Sequence, residues 1–169
     1  MIACPYCGSE NTEGSDICDQ CQHSLTDMSL PQPSSSVEQG LLTDRIESLA
    51  PKRPLTVGPE EPVGDVLKKM VAKSIGCVMI VEADKLLGIF SERDALMKLN
   101  VEAARLSDQP IASVMTANPI TLAAKDKIAY ALHKMNVGGY RHVPILTKGQ
   151  LTGVVSIRDI LAYLTQRLG

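Results

Sequence analysis

The sequence predicts an α/β fold made of two β-α-β-β-α repeats behind a small metal-closed ribbon. Three observations predict it. The chain repeats itself at a fixed offset of 65 residues, opens with two C-x-x-C pairs, and separates the two regions with a Pro/Ser-rich stretch. The expected organisation is a ribbon over 1–27, a flexible linker over 28–44 and paired repeats over 45–169, the first unit about 45–105 and the second about 110–169.

The ribbon rests on Cys4-Pro5-Tyr6-Cys7 and Cys18-Asp19-Gln20-Cys21. Each C-x-x-C sets two sulfurs on one tight turn, and two such turns close a tetrahedral thiolate site for Zn²⁺. Gly8 suits a turn that needs positive φ. So short a segment has few large apolar groups, and metal must supply its folding free energy. A disulfide pair fits poorly with a reducing cytosol, and no thioredoxin-like βαβ pattern surrounds either pair. His23 is expected to be a solvated bystander. The C-P-x-C-G knuckle resembles the zinc-ribbon family over about residues 2–25, with Gln22 where glycine is common.

Residues 28–40 read as a flexible Pro/Ser-rich tether. Residues 1–44 carry seven acidic side chains and no Lys or Arg, while all 17 basic residues lie in 45–169 with the other 12 acidic ones. The two parts therefore carry −7 and +5, giving the net −2. An acidic ribbon with four thiolates repels phosphate, so docking to an unidentified protein partner is expected of it rather than nucleic-acid binding. No apolar run approaches the roughly 18 residues that span a bilayer. The N-terminus lacks the basic and apolar segments of a secretion signal, so a cytoplasmic chain with no membrane association is expected.

The repeat then supplies the elements in order. Sixteen of the 54 positions from 46 to 99 are identical 65 residues later, without a gap. Thr43-Asp44 is positioned to cap a short helix containing Ile46 and Leu49. Short strands at Leu55-Thr56-Val57 and Ile120-Thr121-Leu122 lead into helices with Val63, Val66, Leu67, Met70 and Ile128, Ala131, Leu132, Met135 at helical spacing. Apolar strands follow at 77–81, 86–90, 142–146 and 151–155, with hairpin turns at Asp84-Lys85 and Gly149-Gln150. A closing helix starts at Ser91 or Ser156.

Function concentrates in Gly88-Ile89-Phe90-Ser91-Glu92-Arg93-Asp94 and its copy Gly153-Val154-Val155-Ser156-Ile157-Arg158-Asp159. A strand ends and a helix begins there, exposing N–H groups and positive potential to an anion. The aspartate can accept hydrogen bonds from a ribose diol, and the glycine permits close backbone approach. Ser-x-x-Asp also resembles a helix capping box.

From 45 to 169 the chain resembles a tandem pair of cystathionine-β-synthase (CBS) domains, a Bateman module. The resemblance rests on Pro54-Leu55-Thr56-Val57, Pro119-Ile120-Thr121-Leu122, Tyr140-Arg141-His142-Val143-Pro144-Ile145 and the two Gly-h-h-Ser-x-x-Asp segments. It implies pseudo-twofold packing of the units, clefts that bind AMP, ADP, ATP or S-adenosylmethionine, and a homodimer. It also implies roles: Asp94 and Asp159 on ribose, Ser91 and Ser156 on phosphate or ribose, Thr56 and Thr121 beside base or sugar, Arg141 and His142 on phosphate. Arg141-His142 aligns with Gly76-Cys77 in the first unit, so the two sites are not equivalent.

The expected function is regulatory sensing of an adenosine nucleotide, with no catalysis. Cys77 and His142 occupy equivalent repeat positions, no third catalytic group is identifiable, and Cys77 reads as a small buried residue. The rival reading is a nucleic-acid-binding adaptor that uses the basic module.

Overall fold

The computed structural model describes residues 1–12, 14–25 and 35–168. The first repeat runs β3 (Thr56–Val57), α2 (Val63–Lys73), β4 (Cys77–Glu82), β5 (Lys85–Ser91) and α3 (Glu92–Asp94), which continues as a π turn over Ala95–Leu99. The second runs β7 (Leu122–Ala123), α5 (Ile128–Gly138), β8 (His142–Thr147), β9 (Gln150–Ser156) and an unbroken α6 (Ile157–Arg167). The order β-α-β-β-α is thus present twice. Ahead of it lie β1 (Ile2–Ala3), β2 (Glu10–Asn11) and α1 (Ser36–Thr43), and between the repeats α4 (Ala103–Leu106) and β6 (Thr116–Ala117).

Helix periodicity places the apolar face as expected. Val63, Val66 and Met70 of α2, and Ile128, Ala131 and Met135 of α5, are buried. Leu132 is the exception, exposed on the far side. β3 runs parallel to β4, which pairs antiparallel with β5, and β5 with β6. β7, β8 and β9 make a three-stranded sheet. Both hairpin turns sit one residue earlier than the sequence suggested. Ala83-Asp84 has φ of 46° and 63°, and Lys148-Gly149 has 52° and 82°. Two consecutive positive-φ residues match the twist of the flanking strands, so Lys85 and Gln150 begin strands instead of turns.

The chain gathers into two compact units, and they are not the two repeats. One is drawn from Met1–Pro51, Ala123–Arg141 and Val155–Gly169, the other from Lys52–Leu122 and His142–Val154. Hydrogen bonding explains the exchange. Within the second unit, the N–H groups of Ile111 and Ala112 donate to the carbonyls of Glu61 (2.8 Å) and Pro59 (3.0 Å). Sixty-five residues earlier, within the first unit, Ile46 and Glu47 donate to Asp126 (2.8 Å) and Ala124 (2.9 Å). Each repeat's opening turn is therefore held by the loop that precedes the other repeat's helix. Ile46 and Ile111 are fully buried there, which accounts for their identity in the repeat.

The core of the second unit combines Val57, Val63, Val66, Met70, Val78, Ile80, Phe90 and Leu99 with Ile111 and Val114. On the other sheet face, Cys77, Met79 and Ile89 meet Leu151 and Val154.

In the first unit, α1 replaces much of the linker expected over 28–44; residues 26–34 of that stretch lie outside the described residues. Ser35 caps α1 by accepting from the Glu38 N–H at 3.1 Å. α1 packs on α5 and α6. Gly40 makes that contact possible, because a Cβ there would lie 2.3 Å from the Tyr163 hydroxyl. Asp44 does not cap the Ile46–Leu49 turn, which has no side-chain cap. Its carboxylate instead accepts from the Tyr163 hydroxyl at 2.7 Å and pairs with Arg167. Burial and that hydrogen bond push the Tyr163 phenol up to about 12.

Candidate functional site

Both Ser-x-x-Asp segments stand where a strand gives way to a helix. Asp94 Oδ2 accepts from Ser91 N–H (2.9 Å) and Ser91 Oγ (2.6 Å), and Asp159 Oδ2 accepts from Ser156 N–H (2.7 Å) and Ser156 Oγ (2.6 Å). Both form capping boxes, with serine and aspartate closing on each other across the first helical turn. The strand glycine Gly88 serves a different contact from the one expected. A Cβ there would sit 2.4 Å from Met115 Sδ and 3.0 Å from the Thr116 carbonyl, so it makes room for β6.

The two aspartates then differ. Asp94 Oδ1 also accepts from Thr116 Oγ1 (2.7 Å) and pairs with Lys98 Nζ (2.8 Å). Burial alone would raise this carboxyl, but the Lys98 ammonium and the Ser91 and Thr116 hydrogen bonds outweigh it and hold Asp94 below the usual carboxylate range. In the second repeat the equivalents of Lys98 and Thr116 are Tyr163 and Pro51, so no ammonium or threonine hydroxyl occupies those positions. Repetition was the guide in the sequence, and it passed over Lys98 and Thr116 because they do not repeat. The i, i+4 spacing of Asp94 and Lys98 was the available signal.

Thr56 is exposed on β3, opposite Met79 of β4, and Thr121 immediately precedes β7, half-buried. Arg141 is exposed at the head of β8, and its carbonyl accepts from the Ile157 N–H at 3.0 Å. That bond sets its backbone beside the Ser156–Asp159 box within the first unit. His142 belongs to the second unit and packs on Gly76, where a Cβ would lie 2.9 Å from its imidazole and 3.4 Å from Glu92 Oε2. The absent side chain at Gly76 is what admits the ring. Cys77 is buried, and burial together with the nearby Glu92 carboxylate pushes its thiol up to about 12. A neutral buried thiol is no nucleophile.

At the N-terminus the sulfurs of Cys4, Cys7, Cys18 and Cys21 lie within 4.8 Å of one another. The pairs Cys4–Cys21 and Cys7–Cys18 are each 3.6 Å apart, near the roughly 3.8 Å of sulfurs 2.3 Å from a tetrahedral centre. The two knuckles have the same backbone: Gly8 N–H bonds the Cys4 carbonyl (2.8 Å) and Gln22 N–H the Cys18 carbonyl (2.7 Å). Gln22 takes φ 60° where Gly8 has 77°, accepting the strain that glycine avoids. Burial raises the Cys18 thiol, but hydrogen bonds from Ser9 and from the Cys21 and Gln20 amides outweigh it and bring it down to about 5. His23 is not among the clustered ligands, nor is it a solvated bystander. Its Nδ1 is buried, and its ring stacks on Tyr6 with centroids 3.3 Å apart.

The segments on which the resemblance rested match a family model, that of the CBS domain, over residues 46–100 and 111–166. This chain belongs to the CBS-domain family. Among curated relatives, the CBS domain-containing protein CBSCBSPB1 of Arabidopsis thaliana is 36% identical over 104 residues, covering 61% of this chain and 19% of its own length. The chain therefore spans about a fifth of that plant relative. A CBS-domain containing protein of Agrobacterium tumefaciens has a solved structure with TM-score 0.67 and 28% identity, over 71% of this chain and 98% of the other. A CBS domain protein from Pyrobaculum aerophilum, complexed with AMP, gives TM-score 0.62 and 28% identity over 73% and 99%. The α/β fold of two CBS repeats is thus established. No helix among the described residues is long and apolar enough to cross a membrane.

Proposed function

We propose that this CBS pair is a regulatory, non-catalytic sensor of an adenosine-containing ligand, and that the second repeat carries the principal site. The supporting observation is the asymmetry around the two aspartates. Asp94 already engages Lys98 and Thr116, so a ribose must displace one of them. The equivalent positions of the second repeat hold Tyr163 and Pro51, and Arg141 stands beside the Ser156–Asp159 box. In this reading Asp159 takes the ribose hydroxyls, Ser156 and Thr121 line the sugar, and Arg141 meets phosphate. Thr56, Ser91, Asp94 and His142 form the weaker counterpart. The AMP bound by the Pyrobaculum neighbour supports an adenosine nucleotide.

The four clustered cysteines fit Zn²⁺ in donor type and spacing. The metal supplies structure only, holding the two knuckles together. One zinc per chain is expected by elemental analysis, and none in a Cys18→Ser variant. A cytoplasmic location and a homodimer accompany the proposal, the latter fitting the exposed Leu96, Met97 and Leu161 of the closing helices.

The deciding experiment is thermal unfolding with AMP, ADP, ATP, S-adenosylmethionine, UTP and inorganic phosphate. A ligand at about 100 times its dissociation constant stabilises by roughly 2.7 kcal/mol, a shift of several degrees. Adenosine compounds are expected to outperform UTP and phosphate. Equal shifts from all of them would reduce the site to a generic anion patch. Duplex DNA binding across salt concentrations tests the adaptor alternative.

A further inference from the structure

The ribbon is seated on the second repeat's helix by contacts too specific for a tethered module. Lys127, the N-cap residue of α5, donates from Nζ to the Pro5 carbonyl at 2.9 Å. Two turns along, His133 Nε2 bonds the Cys21 carbonyl at 3.2 Å. The His133 ring also meets His23 edge-on at 4.8 Å. Between the two donors lies Tyr130, only 7% exposed. Positions 127, 130 and 133 share one helical face. The equivalents in the first repeat are Pro62, Asp65 and Lys68, and there Asp65 and Lys68 pair with each other in solvent. The seat is therefore particular to the second repeat.

Pro5 belongs to one knuckle and Cys21 to the other. Six residues of helix separate the two donors by about 9 Å. Their two acceptors keep a matching separation only while the knuckles are held together, and within so small a segment the metal does that. α5 in turn ends at Gly138, three residues before Arg141.

We propose that the ribbon is a metal-gated latch on α5, through which zinc loading and ligand binding at the second repeat each raise the other's affinity. The coupling half rests on the function proposed above. By linkage it is reciprocal, and a coupling of about five- to tenfold is expected. This assigns the ribbon a partner within its own chain, in place of the independent docking module expected from the sequence.

The test uses the full chain, zinc-loaded and chelator-stripped, read by amide hydrogen exchange over 128–138 and by AMP titration. Stripping is expected to speed exchange in α5 and weaken AMP about five- to tenfold. A Lys127→Gln, His133→Ala double variant keeps all four cysteines and is expected to reproduce both effects while retaining zinc. Unchanged α5 exchange on stripping would overturn the latch. Faster exchange with unchanged AMP affinity would overturn the coupling. If AMP bound neither form, the adenosine reading and the coupling would fall together, and α5 exchange would still decide the latch.

Discussion

Arg141 and the two aspartates make separable contributions at the scale of single residues. A charge-assisted arginine–phosphate contact contributes on the order of 1.5–3 kcal/mol. Arg141→Ala is therefore expected to weaken ATP or AMP by roughly ten- to a hundredfold and to leave adenosine unchanged, as measured by calorimetry. Asp159→Ala is expected to weaken all three, since each carries the ribose. A double-mutant cycle between them is expected to be non-additive, because the Arg141 backbone is bonded to the first residue of α6. Equal losses for adenosine and ATP in Arg141→Ala would make that arginine structural.

Asp94 gives a second residue-scale prediction, with a pH signature. Its carboxyl is held below the ordinary value, so the folded state binds fewer protons there than the unfolded state. The stability it contributes is present above the unfolded carboxyl's pKa and is lost as pH falls through the lowered folded value. The melting temperature of the wild type is expected to exceed that of Asp94→Asn near neutrality and to converge with it in strong acid. A constant gap across the acid range would contradict the assignment.

At the scale of elements, α1 gives the clearest test. Gly40→Ala forces a methyl against the Tyr163 hydroxyl, and overpacking of this kind costs about 1–3 kcal/mol. A melting temperature lowered by several degrees is expected, with partial recovery in a Gly40→Ala, Tyr163→Phe double variant.

The same helix shows where sequence reading stops. Its cap was visible as Ser35 followed by Glu38, but the neighbouring prolines and serines and an internal glycine masked it. The α2 and α5 faces were legible because burial follows the 3.6-residue period. The hairpins were legible to within one residue, since composition marks a turn and backbone twist fixes its register. The Ser-x-x-Asp boxes were found because they repeat. Lys98, Thr116 and the α5 seat were not, because each belongs to one copy only and depends on tertiary neighbours.

At the scale of the whole molecule, the division of charge acquires a location. Within the first unit, the ribbon segment without Lys or Arg sits against residues that supply cations from later in the chain. Lys127 reaches the first knuckle and Arg167 reaches Asp44. A cleft of about 230 Å³ at this junction is lined by Cys7, Gly8, Arg45, Lys125 and Lys127. The positive charge counted to the paired repeats is in part directed at the chain's own acidic end.

The reciprocal opening turns bear on how the chain is born. Ile46 waits for Asp126, 80 residues later, and the loop at Pro59 and Glu61 waits for Ile111 and Ala112. At roughly 5–20 residues per second, a nascent first repeat stays incomplete for about 4–16 s. During that interval its buried isoleucine has no partner, so neither half is a finished folding unit by itself. A fragment ending at residue 105 is expected to show no cooperative melt alone and to regain one when mixed with 106–169. A cooperative transition from the first fragment alone would mean that the exchange decorates two independent domains. If it does not, the duplication yielded a single folding unit whose halves complete each other only when synthesis has nearly finished.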